Sequence, residues 1–157
     1  MRFYLKRIFL ALIPLAFIFI AIIFYPQVYY FKDNIEYKNF HVYYDTKIPD
    51  SIYSILDEVH RLIRQSDCYD PQLKFKIFLR SDANKYNLFP FQFPDRGSGQ
   101  AIPLIKNVFL YKSDCSTNTS YNHVGHTRTL SSVLAHELIH ILVDNKWFLR
   151  SKMVTSQ

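Results

Sequence analysis

The hydrophobic pattern of this chain changes period several times. Residues 8 to 25, IFLALIPLAFIFIAIIFY, form an 18-residue run with no charge. A helix of that length rises about 27 Å, close to the hydrocarbon thickness of a bilayer. The run is apolar on every face, unlike a core helix with one wet side. FHVYYD (40–45) alternates and is rich in β-formers, which predicts a strand. PDSIYSILDEVHRLIRQS (49–66) places Ile52, Ile55, Leu56, Val59, Leu62 and Ile63 at helical spacing, with Asp50 positioned as the cap. LKFKIFLR (73–80) alternates strictly and predicts a second strand. SDANKYNLF suggests a short helical turn, and PFQFPDRGSGQ (90–100) has two prolines and two glycines and reads as loop. AIPLIKNVFLYK (101–112) returns to a strand pattern, as a hairpin broken at Pro103 and Lys106. A polar loop, SDCSTNTSYNHVGHT, then leads into a helix from about Thr129 to Asp144, capped by Thr127 or Thr129 and ended by Asn145. There are no internal repeats. The order predicts an α+β fold: an N-terminal transmembrane helix, then a small domain with a mixed sheet.

Composition and charge refine this picture. The chain has 157 residues, 49% hydrophobic and 17% aromatic, enough for one packed domain and an appendage. Arg2, Lys6 and Arg7 precede the apolar run, and no acid occurs in the first 30 residues. The formal charge of +6 therefore owes half its value to that flank. The remainder is an ordinary surface without an aromatic-basic stripe, which argues against nucleic acid as a partner. Positive charge before the run keeps the start cytoplasmic, and Pro26 with Tyr25, Tyr29 and Tyr30 suits the far interface. Residues 1–30 thus read as a cytoplasmic tip and a single-pass signal-anchor, and residues 31–157 as an extracytoplasmic domain, periplasmic or extracellular. A cleaved signal peptide is the rival, but its apolar region is normally about 7–15 residues and ends in small residues. Export would let Cys68 and Cys115, the single intrachain pair, join as a disulfide; two free thiols are the alternative. Asn118-Thr119-Ser120 is a glycosylation sequon in a host that glycosylates.

The candidate chemistry lies in TLSSVLAHELIHILVDNKW, residues 129 to 147, where His136, Glu137 and His140 form H-E-x-x-H. On a helix the two histidines lie about 40° apart around the axis and one turn apart along it, so both imidazoles can reach one ion. Glu137 sits about 100° round from His136, beside the ion, where it can hold a water. Leu130, Leu134, Leu138, Ile141 and Leu142 fill the opposite face. Two neutral imidazoles fix Zn²⁺ and leave positions open, the ion acidifies a water, and the carboxylate takes the proton as that water attacks a carbonyl. With 6 histidines in the chain, shuffling yields the pattern about 0.004 times per chain, so composition hardly explains it. The competing reading is a helix whose histidines pair with carbonyls or carboxylates. The run is bracketed by Arg128 and by Asp144-Asn145-Lys146, so it is shorter than the roughly 20 residues an intramembrane helix needs.

LAHELIHILV (134–143) resembles the motif of the zincin metallopeptidases, specifically gluzincin-like domains of the MA-type clan, with weaker support over residues 40–157. The resemblance implies Zn²⁺ as cofactor, His136 and His140 as metal ligands, and Glu137 as general base and acid. It also implies an edge strand beside the helix on which an extended peptide or protein substrate adds, with GQAIPLIKNVFLY the candidate. The chain departs from that family at the third ligand, a glutamate downstream, since no glutamate follows His140. Asp144 is about 12 Å of helix rise from His136, too far for one straight helix to bring to the same ion. His123 and His126 read as polar loop residues, and His60 as a surface histidine. The simplest expectation is the front portion of a longer protein, ending before the third ligand; a decayed copy is the alternative. The expected function is a membrane-anchored zinc metallopeptidase. The alternatives are an inactive zincin-like domain serving as a tethered binding module, and a metal-dependent hydrolase of another bond.

Overall fold

A computed structural model describes residues 12–15, 17, 18, 20, 21, 25, 27, 31–82 and 97–155. Strand β1 (Asp33–Tyr37) turns at Lys38 and Asn39 into β2 (Phe40–Tyr44), and the two pair antiparallel. Helix α1 (Ser51–Ile63) crosses to β3 (Phe75–Leu79), which runs parallel to β2. Then come β4 (Gly99–Ile102), a 3₁₀ turn (Pro103–Ile105) and β5 (Asn107–Leu110). The sheet order is β1-β2-β3-β5-β4, with β5 parallel to β3 and β4 antiparallel at the edge. The expected small α+β domain with a mixed sheet is what this arrangement forms. A second, three-stranded sheet follows, β6 (Lys112–Asp114), β7 (Thr119–Tyr121) and β8 (Thr127–Thr129), all antiparallel. Helix α2 (Leu130–Thr155) closes the described chain.

Alternation along the strands sorts the side chains onto two faces. Phe40, Val42, Phe75, Ile77, Leu79, Val108 and Leu110 meet both helices: α1 through Ile52, Ile55, Leu56, Val59 and Ile63, α2 through Leu130, Leu134, Leu138, Ile141 and Leu142. On the other face Tyr43, Phe78 and Phe109 stack in a row, with centroids 5.0 and 4.7 Å apart, and Phe31 leans on them. Each fully buried leucine or isoleucine contributes about 1.5–3 kcal/mol by leaving water, which makes these stripes decide the helix orientations. Lys146 Nζ donates to the Asp67 carbonyl (2.9 Å) and ties α2 to the end of α1.

Several expectations are corrected here. Among the described residues no helix is long and apolar enough to cross a membrane. The transmembrane helix expected over 8–25 is therefore not supported, nor is the single-pass placement with a cytoplasmic start and an extracytoplasmic domain. Half of that run lies outside the described residues, and its described helical positions fall between 12 and 21. The helical turn expected within 81–89 and most of the 90–100 loop also lie outside the described residues. Asp50 makes no side-chain cap; its backbone is already helical (φ −62°) after Pro49. Helix α2 runs beyond Asn145, because no glycine or proline occurs before Thr155 to stop it. Cys68 and Cys115 are free thiols, so the expected disulfide is not formed. Cys115 is buried, and that burial pushes its thiol up to about 12.

Candidate metal centre

The buried stripe of α2 fixes the rotation of the helix, so His136 and His140 face outward one turn apart, and both are exposed. Their Nε2 atoms stand 3.2 Å apart, with ring planes at 89°. At a usual Zn–N length of about 2.0–2.1 Å, that spacing subtends about 100–106° at an ion, near the tetrahedral value. The same approach also allows one ring N–H to donate to the lone pair of the other. The pair therefore fits two positions of a tetrahedral ion. Among the described residues no group of three or more His, Cys, Asp or Glu converges on one point, so the third protein ligand is not found there.

Glu137 is half-buried where α2 meets the edge strand. Gly99 begins β4 opposite Leu110 of β5, on the sheet face that packs against α2. A Cβ on Gly99 would lie 3.1 Å from Glu137 Cγ and 3.4 Å from the Phe109 carbonyl oxygen. Glycine here thus makes room for the carboxylate stem, a close approach that a side chain would obstruct. Glu137 and His140 share a cleft of about 570 Å³ with Gly99, Pro103, Val143 and Trp147. Trp147 is 69% exposed and Val143 37%, so the lower wall of the cleft is apolar and open. Asp144 lines the same cleft one turn below His140 and does not join the histidine pair. Among the described residues β4 pairs only with β5, so no described strand bonds the N–H and C=O groups of its outer edge.

The start of α2 is held from a distance. Asn118, in the turn between β6 and β7, adopts φ 50° and reaches across to the helix. Its carbonyl accepts from Leu130 N (2.9 Å), and its Oδ1 accepts from Ser131 N (3.0 Å). These bonds satisfy two of the first four N–H groups of the helix, the task expected of Thr127 or Thr129. Thr129 serves instead as a carbonyl acceptor for Ser132 Oγ (2.8 Å).

The other histidines lie elsewhere. His123 and His126 flank Gly125 (φ 86°) in the exposed turn before β8, and the His126 N–H donates to Asn122 Oδ1 at 2.8 Å. His60 is half-buried on α1, bonds the Tyr69 hydroxyl at 3.1 Å, and is pushed below its usual pKa mainly by burial. Of the cleft residues, sequence reasoning found Glu137 and His140 and missed Gly99 as a contact and Val143 and Trp147 as a wall. The signal for the wall was present: Ile139, Val143 and Trp147 repeat every four residues on the side away from the core stripe. No protein-family model matches the chain, and no curated protein or solved structure matches it either.

Proposed function

We propose that this chain is a metal-dependent hydrolase of the zincin type, acting on peptide bonds. The observation that carries the reading is the 3.2 Å approach of two exposed imidazole Nε2 atoms, with one of the two histidines, His140, lining a cleft together with the half-buried Glu137. His136 and His140 would hold the ion through Nε2. A bound Zn²⁺ supplies Lewis acidity, polarising a carbonyl and making an attacking water more acidic. Glu137 takes the proton of that water on its carboxylate and returns it to the departing amine. The outer edge of β4 orients an extended peptide through main-chain hydrogen bonds, and Val143 with Trp147 offers an apolar wall for one of its side chains.

The test is peptide hydrolysis and metal content measured together for the parent and Glu137→Gln. The expected result is equal zinc uptake with a rate reduced about 10²–10⁴-fold in the variant. Equal rates would remove Glu137 from the chemistry, and failure of the parent to take up zinc would end the reading.

A second reading is a binding module without turnover, favoured by the two-ligand half-site among the described residues. It predicts zinc uptake lost on His136→Ala, together with no hydrolysis by the parent.

A further inference from the structure

A second cavity, of about 250 Å³, lies where β2, β3 and β5 begin, and it shares no lining residue with the metal cleft. Lys38, Lys74, Lys76 and Lys106 border it with His41, against a single carboxylate, Glu36. Lys38 is committed to Asp57. Glu36 is 73% exposed at its side chain and leans on His41 Nδ1 at 3.3 Å. Among the described residues no ion pair neutralises Lys74, Lys76 or Lys106. Three lysines without a carboxylate partner among the described residues thus border one concave place, Lys76 also lying 5.8 Å over the Tyr25 ring.

Two further observations separate this cavity from a solvated lysine face. Asn39 lines it, donating through Nδ2 to the Leu73 carbonyl, while its Oδ1 is buried and has no partner among the described residues. Such an acceptor costs about 1–3 kcal/mol unless something donates to it. Lys106 ends the 3₁₀ turn in the left-handed region, at φ 57°. Glycine or asparagine occupies that region at lower cost, so a lysine there retains its charge at conformational expense. Phe40 and Phe75, both buried, give the cavity an apolar wall.

We infer that this cavity is a binding site for a phosphate-type dianion that carries a hydroxyl or N–H donor next to its charge, a phosphomonoester. Lys74, Lys76 and Lys106 neutralise the phosphoryl oxygens, and a rotation of the Asn39 side chain that opens its Oδ1 to the cavity lets it accept from the neighbouring donor. The small volume suits one phosphoryl group and a short organic part, not the backbone of a polymer. Burial holds His41 below its usual pKa against the opposing Glu36, and Lys76 and Lys74 add smaller lowering effects. A dianion beside these lysines raises it, so the His41 ring reports occupancy. The phosphomonoester can come from solution or from a lipid headgroup.

The test titrates the full chain with glycerol 1-phosphate and with inorganic phosphate at constant ionic strength, following the His41 ring by NMR. Saturable binding is expected, tighter for glycerol 1-phosphate, with the His41 pKa raised. Lys106→Gly weakens binding about five- to tenfold without lowering the melting temperature, because the left-handed turn suits glycine. Lys74→Gln, at an exposed position, weakens it by a similar factor and tests the site independently of the turn. Co-sedimentation with phosphatidylcholine vesicles containing phosphatidic acid, lost in the Lys74→Gln/Lys106→Gly double variant, assigns the headgroup as a source. Binding in solution without co-sedimentation assigns a soluble phosphomonoester. Absence of saturation with both soluble probes and of co-sedimentation overturns the site, as does an affinity unchanged in both single variants.

Discussion

Helices α1 and α2 pack side by side on one sheet face with similar buried stripes, yet their outer faces differ in kind. The outer face of α1 is occupied by its own neighbours. Arg61 grips Glu58 with two bonds of 2.7 Å, and Lys38 with the Tyr37 hydroxyl engages Asp57. Its one histidine is spent on Tyr69. The outer face of α2 keeps two imidazoles turned toward each other and an apolar row, Ile139, Val143 and Trp147, open to solvent. Inward faces make both helices parts of a fold, and outward faces make only α2 available to a ligand. The lesson is that binding capacity is read from groups the fold leaves uncommitted.

The comparison can be broken most severely at the carboxylates. Glu137→Gln is expected to reduce peptide hydrolysis about 10²–10⁴-fold, whereas Glu58→Gln on α1 leaves it within about twofold, since a surface ion pair is worth about 0.2–1 kcal/mol. Assays of both variants on one peptide check this, and equal losses would erase the distinction. The inward faces provide the converse. Leu56 and Leu138 are both fully buried, so either truncation to alanine should cost about 3 kcal/mol in denaturant unfolding. A Leu138→Ala cost well below that of Leu56→Ala would mean α2 is held less firmly than its burial implies.

A milder perturbation tests the seam between α2 and β4. Gly99→Ala puts a Cβ 3.1 Å from Glu137 Cγ, displacing the carboxylate by a few tenths of an ångström. The expected outcome is a kcat lowered about tenfold with KM within about twofold, and stability changed by less than about 1 kcal/mol. The smallest effect concerns His60. Its pKa is lowered from 6.5 by burial, then by Lys38 and Arg64. The unfolded chain therefore takes up its proton first as the pH falls below about 6.5, and stability declines toward the folded value. Unfolding at pH 7.5 and 5.5 should show a slightly smaller acid-side loss for His60→Gln than for the parent.

Much of the fold was legible because it rests on local periodicity. All five positions buried on α1 were named from their helical spacing, and so was the core stripe of α2. The strands at 40–45 and 73–80 followed from alternation. What escaped reading depends on partners distant in the chain. Strand β1, DNIEY, and the small sheet β6–β8 are short and polar, and their order comes from pairing. Gly99 and Gln100 close a stretch whose composition signals loop and also open GQAIPLIKNVFLY, the segment expected as an edge strand; pairing with β5 decides for the strand. At the site, the motif gave the ligand pair and the carboxylate. The glycine that makes room for that carboxylate could not be found without the sheet register.

The bracket that Asn118 forms over the first turn of α2 has a consequence for how this chain can vary in length. The eleven residues from Thr119 to Thr129 fold back as two strands so that the next two can dock on that same asparagine. Deleting or inserting a single residue in this stretch would misalign the bracket, because the buried leucines hold the helix in its present rotation, and would leave the first N–H groups without those acceptors. Indels should therefore be absent from this hairpin, although it lies on the surface, where loops ordinarily absorb them.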